Sequence, residues 1–213
     1  MLKQIISNLT FANQLTFLRL ILIPFLIIAI FNNRFGLALF LFIWAAVTDV
    51  LDGLVARYLK QYTALGSLLD PVADKLLMTI CFILMTFPDH PRIFPKFELA
   101  NHVPLWLTIL VLWRDFMIIL TSITFYATYH VKKFPPTLLG KVTTFSESIT
   151  IGLFLLFNYL NRESSFVIPL AVWITLMLIV VSGFHYLYKC HFFIKEAQIN
   201  QPKNSQRKNN THQ

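Results

Sequence analysis

The stretch DVLDGLVARYLKQYTALGSLLDPVAD, from Asp49 to Asp74, places four aspartates between long apolar runs. Asp49 and Asp52 are three residues apart and Asp70 and Asp74 are four apart, so on helices each pair shares a face. An ionisable side chain near the interior of a membrane is costly, which makes these acids candidates for a functional site. Two such helices that face each other would bring four carboxylates to one point.

The residue types around the acids indicate what such a site binds. Converging carboxylates in a low-dielectric site repel one another unless cations neutralise them, and ligation by oxygen alone favours Mg²⁺ or Mn²⁺ over zinc. Gly53 and Ala56 let a bulky ligand approach the backbone, and the planar cation of Arg57 suits phosphate. The stretch therefore predicts a site for a metal-bound diphosphate. The structural alternative is that the carboxylates cap helix ends, as Asp70 before Pro71 would, or pair with Arg57 and Lys75.

The composition predicts an all-α integral membrane protein. Of its 213 residues 56% are hydrophobic and 13% are charged, whereas soluble domains average about 25% charged residues. Repeated apolar runs predict a bundle of six transmembrane helices with a polar active-site cavity that faces the cytoplasm. We expect an interfacial segment over 1–14, the six-helix domain over 15–197 and a disordered polar tail over 198–213. The expected spans are Leu15–Phe31, Phe35–Val55, Gly66–Phe87, Pro104–Thr128, Phe145–Leu160 and Phe166–Tyr188.

The basic residues outside the spans predict the orientation. On one side of the membrane they are Arg34, Arg92, Lys96 and Arg162. The side that holds both termini has many more, namely Lys3, Arg57, Lys60, Lys75, Lys132, Lys133, Lys141, Lys189, Lys195, Lys203, Arg207 and Lys208. An excess of Lys and Arg marks the cytoplasmic side, so both termini and the active site are expected there, in a multi-pass protein of a bacterial inner or plasma membrane. The net charge of +8 indicates a protein that attracts anionic lipid and phosphorylated substrates, and we do not expect it to bind nucleic acid.

The Asp49 to Asp74 stretch resembles the signature of the CDP-alcohol phosphatidyltransferases, Asp-x2-Asp-Gly-x2-Ala-Arg-x8-Gly-x3-Asp-x3-Asp, at every specified position. The resemblance implies transfer of a phosphatidyl group from CDP-diacylglycerol to an alcohol, with release of CMP. It implies that Asp49, Asp52, Asp70 and Asp74 hold Mg²⁺ or Mn²⁺, and that Asp74 is also the general base. The residues implied to bind the cytidine diphosphate are Asn13, Thr16, Asp52, Gly53, Ala56, Arg57 and Gly66.

Three polar residues open the first span at three-residue steps. Asn13, Thr16 and Arg19 resemble the family's Asn-x2-Thr-x2-Arg motif, which lines the nucleotide site. For Arg19 the alternative is that its long side chain snorkels to the membrane interface.

Lys75, Arg114 and Lys141 are candidates to bind the acceptor, because a phosphorylated acceptor needs a cationic pocket. For Arg114 the alternative is a structural salt bridge. The neighbouring Asp115 points about a quarter-turn away on a helix, so the two need not pair. Lys141 lies in a Leu-Gly-Lys-Val-Thr-Thr run that resembles a family element before the fifth span. Its alternative is a positive-inside anchor.

Two alcohols are candidates for the acceptor. The favoured one is glycerol-3-phosphate, as in phosphatidylglycerophosphate synthases. The alternative is phosphatidylglycerol, as in cardiolipin synthases, which the Trp-Arg-Asp and Leu-Gly-Lys runs also resemble; a lipid acceptor needs a second lateral opening between helices. The resemblance further implies a homodimer. A non-enzymatic ion-coupled transporter is an alternative from a different class of protein, because intramembrane carboxylates also serve ion coupling.

Overall fold

The computed structural model describes residues 11–59, 66–87, 99–129, 138–163 and 166–209. Within these ranges the backbone alone is described for residues 11–15, 50, 52–59, 66–71, 122–129, 187 and 190–209. All regular structure in these residues is helical, as predicted. The helices are α1 Phe11–Phe31, α2 Phe35–Leu59, α3 Gly66–Thr86, α4 Leu105–Tyr129, α5 Leu138–Tyr159 and α6 Val167–Asn209.

Most helix starts lie within about four residues of the predicted spans, and α5 is the exception. It begins at Leu138, not near Phe145. The residues before Phe145 were left out of the predicted span, but they form the first turns of α5, where Thr143 donates its hydroxyl to the carbonyl of Leu139 at 2.8 Å. Such back-bonding satisfies the polar group inside the helix.

Two helical segments of the described residues are long and apolar enough to cross a membrane, Leu138–Tyr159 and Val167–Tyr186. Thr16–Phe31 and Phe35–Asp49 are shorter apolar segments. Six membrane crossings therefore stay a prediction. The segment 198–209, expected to be disordered, continues α6 as far as Asn209, and its disorder also stays a prediction.

The chain divides into two compact units. The first comprises Met1–Thr108 and Glu147–Val172, and the second comprises Ile109–Ser146 and Trp173–Gln213. Helices α1, α2 and α3 belong to the first unit, while α4, α5 and α6 each contribute residues to both. The predicted domain limits, 1–14, 15–197 and 198–213, are not tested by this division and stay predictions.

In the first unit α1 packs against both α2 and α3. Its buried face carries Ile23, Leu26 and Ile30 at helical spacing, and Thr16 and Arg19 continue that face toward the start of the helix. The opposite face exposes large apolar side chains such as Ile21, Phe25 and Ile28. Polar groups thus face the protein interior and apolar groups face outward, which is the arrangement expected of a protein surrounded by lipid.

Asparagines end two of the helices by the same local geometry. Asn33 after α1 and Asn161 after α5 have φ values of 56° and 49°, in the left-handed region. The next amides bond back to the helix, Arg34 to the carbonyl of Ala29 at 2.9 Å and Arg162 to that of Phe157 at 3.1 Å. These are Schellman caps with asparagine at the left-handed position, and the first of them forms the turn between α1 and α2.

Candidate functional site

The four signature aspartates lie on two helices, as the spacing predicts. Asp49 and Asp52 stand one turn apart on α2, and Asp70 and Asp74 one turn apart on α3. Because α3 begins at Gly66, Asp70 lies inside the helix and is not its cap. The capping alternative for Asp70 is therefore wrong. Helix α1 packs against both acid-bearing helices and so is their common neighbour.

The described side chains include one ion pair at this site. Nη1 of Arg19 on α1 lies 2.9 Å from Oδ1 of Asp49 on α2. Arg19 is fully buried, whereas Asp49 exposes 48% of its side chain. A snorkelling arginine would keep its guanidinium at the interface, so that alternative for Arg19 is wrong. Pairing of the signature carboxylates with Arg57 or Lys75 stays an alternative, because the side chains of Asp52, Arg57 and Asp70 lie outside the described residues.

This geometry fits a carboxylate that binds a metal ion. Ligating carboxylates are commonly held by a further partner that fixes their orientation, and Arg19 fixes one oxygen of Asp49 in that way. The half-exposed side chain remains accessible to a ligand. An all-oxygen set of donors suits Mg²⁺ or Mn²⁺.

Of the other three signature aspartates, Asp74 is the one whose side chain the structure describes. Asp74 and the neighbouring Lys75 are half-buried on α3. The side chains of Asp52 and Asp70 lie outside the described residues. Among the side chains that are described, no three of His, Cys, Asp or Glu come close enough to hold a metal ion. Asp52 and Asp70 are not among these side chains, so the four-carboxylate site stays a prediction.

Among the residues predicted to hold the nucleotide, Thr16 has a described side chain, and it is fully buried. Thr16 and Arg19 share the buried face of α1, so this part of the predicted motif faces the protein interior. The side chains of Asn13, Ala56 and Arg57, and the surroundings of Gly53 and Gly66, lie outside the described residues. Their role in nucleotide binding stays a prediction.

Two of the three predicted acceptor-binding residues belong to the second unit. Arg114 is 6% exposed, and its Nη1 donates to Oδ1 of Asp115 at 3.0 Å. Its Nη2 donates to the carbonyl of Gly140 at 3.1 Å. The adjacent residues therefore do pair, although the spacing did not require it. Lys141 is exposed in the second turn of α5.

Residues 9–183 match the family model described as CDP-alcohol phosphatidyltransferase. The chain belongs to the CDP-alcohol phosphatidyltransferase family. The matched region includes all of the signature residues and both helices that carry them.

Relatives of this chain have names of two kinds. It is 34% identical over 175 residues to a "Probable cardiolipin synthase (CMP-forming)" of Drosophila melanogaster, covering 73% of this chain and 51% of that protein. It is 34% identical over 150 residues to the "CDP-diacylglycerol--glycerol-3-phosphate 3-phosphatidyltransferase" of Bacillus subtilis, covering 70% of each. A protein of the same name from Rickettsia felis is 28% identical over 187 residues, covering 84% of this chain and 93% of that protein. The chain thus spans about half the length of the Drosophila relative.

The sequence alone did not indicate that Arg19 pairs with Asp49. The available signal was that Arg19 shares a helical face with Thr16 inside an apolar run, because a buried charge there needs a partner. Which acid serves as the partner depends on how α1 packs against α2, and the spacing within α1 does not contain that information.

Proposed function

We propose that this family member transfers a phosphatidyl group from CDP-diacylglycerol to an alcohol that itself carries phosphate, and releases CMP. The observation that carries this proposal is the complete aspartate signature on α2 and α3, with Asp49 fixed by the buried Arg19. Intramembrane carboxylates would serve both this reaction and ion-coupled transport, so they do not separate the two. Membership in the phosphatidyltransferase family favours the reaction.

The reaction forms one phosphorus–oxygen bond and breaks another. The acceptor hydroxyl oxygen attacks the phosphorus that carries diacylglycerol, the bond from that phosphorus to CMP breaks, and CMP leaves with the bridging oxygen. Asp74 receives the proton of the acceptor hydroxyl as general base. Asp74 lies one turn beyond Asp70 on α3 and is half-buried. The basicity of a carboxylate in such a position depends on its burial and on nearby charges.

Asp49, Asp52, Asp70 and Asp74 would hold Mg²⁺ or Mn²⁺. Bound there, the cation supplies charge neutralisation for the diphosphate and for the leaving CMP. Arg19 orients Asp49 for this task. Asn13, Thr16, Gly53, Ala56, Arg57 and Gly66 would hold the cytidine diphosphate.

Two acceptors fit the names of the relatives. The Bacillus and Rickettsia names specify glycerol-3-phosphate, and the Drosophila name specifies cardiolipin synthesis. Identities are similar on both sides, so they do not separate the two acceptors. Lys75, Arg114 and Lys141 are proposed to bind the acceptor's phosphate. We place the enzyme in a bacterial inner or plasma membrane as a homodimer of six-span chains, with the active site and both termini in the cytoplasm.

The test measures CMP release by purified protein in detergent micelles that contain CDP-diacylglycerol, with glycerol-3-phosphate or phosphatidylglycerol as acceptor. Asp74→Asn should lower the rate by about 10²–10⁴-fold, the usual contribution of a general base. EDTA should abolish the reaction, and Mg²⁺ or Mn²⁺ should restore it.

Glu163→Gln is the matched control, because Glu163 is an exposed acid between α5 and α6. It should release CMP at the wild-type rate. A normal rate from Asp74→Asn would remove Asp74 as the base. If the wild-type protein released no CMP with either acceptor while Asp74→Asn changed an ion flux in liposomes, the transporter alternative would replace the enzyme.

A further inference from the structure

Two cavities meet at the turn between α1 and α2, where Arg34 and Leu37 line both of them. The first is a groove of about 360 Å³ between the last turns of α1 and the first turns of α2, and it will be called the hairpin groove. The second is a cavity of about 620 Å³ beyond the ends of these helices, and it will be called the end cavity. Every residue that lines either cavity belongs to the first unit.

The hairpin groove is apolar and open to the surroundings of the protein. Phe25 and Ile28 of α1 and Leu37 of α2 line it and are each more than 40% exposed. The small, buried Ala29 lies between them on α1 and leaves room for the groove. From Phe35 to Leu41 the groove follows α2 for about 9 Å, at 1.5 Å per residue. Such a shape fits a hydrocarbon chain that lies along the helix pair.

A cation lies where the two cavities meet. Arg34 is exposed, and none of the acids whose side chains are described pairs with it. The neighbouring Asn32 is engaged locally, because its Nδ2 donates to the carbonyl of Ile28 at 2.8 Å. Arg34 is therefore the group at this turn that can bind an anion, and a planar guanidinium is suited to the oxygens of a phosphate.

The end cavity provides polar surroundings beside this cation. Asn33, Asn158 and Asn161 line it, and none of the residues described as its lining is acidic. Asn158 is held in place, since its Nδ2 donates to the carbonyls of Asn101 and Phe154 at 3.0 and 2.7 Å. A head group that carries an ammonium would meet Arg34 there without a compensating carboxylate. A head group with uncharged hydroxyls fits this cavity better.

We infer that the turn between α1 and α2 binds an anionic glycerophospholipid. Its phosphate lies at Arg34, its hydroxyl-bearing head in the end cavity and one acyl chain in the hairpin groove. This site is separate from the signature aspartates, because Asp49 lies about 21 Å from Phe35 along the same helix. The lipid is thus neither donor nor acceptor in the proposed reaction. It contacts both α1 and α2 and so stabilises their packing.

The experiment uses the full chain in detergent micelles and a phosphatidylglycerol with a diazirine in one acyl chain. After illumination, fragment-ion sequencing of the digested protein locates the labelled residues, and labels within 25–41 report the hairpin groove. Unlabelled dioleoyl phosphatidylglycerol should compete for these positions. Dioleoyl phosphatidylcholine and inorganic phosphate should each compete at least tenfold less well, because one carries an ammonium and the other has no acyl chain.

Arg34→Gln tests the phosphate contact and should weaken competition by phosphatidylglycerol at 25–41 about tenfold or more, as loss of a hydrogen bond to a charged group does. Arg162→Gln is its matched control, since Arg162 is an exposed arginine after α5 that lines neither cavity. The control should keep the wild-type labelling and competition.

Ile28→Trp tests the hairpin groove, because the larger side chain fills it, and labelling at 25–41 should be lost. Ile21→Trp is the matched control. Ile21 lies two turns earlier on the exposed face of α1, is exposed to a similar extent and is outside the groove. It should be labelled like the wild-type protein.

Three results would overturn the inference. Equal competition in Arg34→Gln and the wild-type protein would remove the phosphate contact, and unchanged labelling in Ile28→Trp would remove the acyl chain from the groove. Equal competition by phosphatidylcholine would reduce the site to the general lipid shell, and strong competition by inorganic phosphate would reduce it to an anion site. The readout does not use CMP release, so the inference and the proposed function fail independently of each other.

Discussion

Arg19 is a fully buried cation, and its partner Asp49 is half exposed. Burying a guanidinium is costly unless a carboxylate compensates it, so the pair fixes both side chains at the junction of α1 and α2. Because the pair leaves one oxygen of Asp49 to other partners, we assign Arg19 a positioning role toward the bound cation. Such outer partners commonly change metal affinity or activity by about 10–100-fold when they are removed.

Arg19→Met should therefore raise the Mg²⁺ concentration for half-maximal CMP release by about tenfold or more. Methionine fills the apolar space of the buried arginine, and Asp49 is exposed enough to be hydrated, so the melting temperature should change little. A titration of Mg²⁺ against initial rate, together with a thermal melt in detergent, measures both quantities.

Arg34→Met is the control for that substitution, since Arg34 is an exposed arginine in the turn between α1 and α2. It should leave the Mg²⁺ dependence unchanged. An unchanged Mg²⁺ dependence in Arg19→Met would show that Arg19 does not act on the cation through Asp49.

The residue scale also shows where prediction from the sequence stops. Spacing alone correctly placed Thr16 and Arg19 on one face of α1, and it placed the acid pairs on α2 and α3. It did not identify the partner of Arg19 or the pairing of Arg114 with Asp115, because side-chain partners depend on rotamers and on how helices pack. Convergence of all four carboxylates stays a prediction, because the side chains of Asp52 and Asp70 lie outside the described residues.

At the scale of the helices, most of the architecture was readable from the sequence. Apolar length fixed the extent of α1 to α4, and the αL asparagines that end α1 and α5 are local signals. The start of α5 was not readable. Gly140 and the threonines were predicted to precede the fifth span, whereas they belong to α5, where the hydroxyls of Thr143 and Thr144 bond back to carbonyls of the preceding turn.

Gly36 of α2 provides a test of helix packing. A Cβ at Gly36 would lie 2.7 Å from Cε2 of Tyr159 at the end of α5, so Gly36→Ala must displace the ring. We expect a loss of about 1–2 kcal/mol, the usual cost of overpacking when a side chain has to move. Thermal melts in detergent would show it as a lower melting temperature.

Gly152→Ala is the matched control, because a Cβ there would approach Cε1 of Phe42 to no closer than 3.8 Å, an ordinary contact. Its higher helix propensity should leave stability unchanged or raise it by up to about 1 kcal/mol. Adding Tyr159→Ala to Gly36→Ala should remove most of the penalty of Gly36→Ala. Equal melting temperatures for the two glycine variants would mean that α2 and α5 do not approach closely at Gly36.

At the scale of the whole molecule, polarity is inverted relative to a soluble protein. Buried positions include Arg19, Arg114 and Glu147, while tryptophans and phenylalanines such as Trp44, Phe116 and Phe184 are exposed. A bilayer stabilises such a surface, because exposed apolar side chains then contact lipid and the charges contact one another. Among the described residues, two segments are long and apolar enough to cross a membrane, Leu138–Tyr159 and Val167–Tyr186.

Length supports all six helices as spans. The shortest has 21 residues, and at 1.5 Å per residue this gives about 31 Å, close to the thickness of the hydrocarbon core. Six crossings place both termini on the side with the larger number of basic residues, which the positive-inside rule assigns to the cytoplasm. An odd number of crossings would separate the termini and put the basic C-terminal segment on the opposite side.

Cysteine labelling on intact cells measures this topology. In a background of Cys81→Ala and Cys190→Ala, a membrane-impermeant maleimide should label Arg34→Cys and Arg162→Cys, which follow α1 and α5. Lys208→Cys, near the C-terminus, should be labelled only after the membrane is permeabilised. Labelling of all three in intact cells would require an odd number of spans. That outcome would leave the Asp49–Asp74 site on the cytoplasmic side, because α2 and α3 carry their acids at the end opposite Arg34. Protection of Arg34→Cys in intact cells would instead place the site away from the cytoplasmic supply of its nucleotide-linked donor.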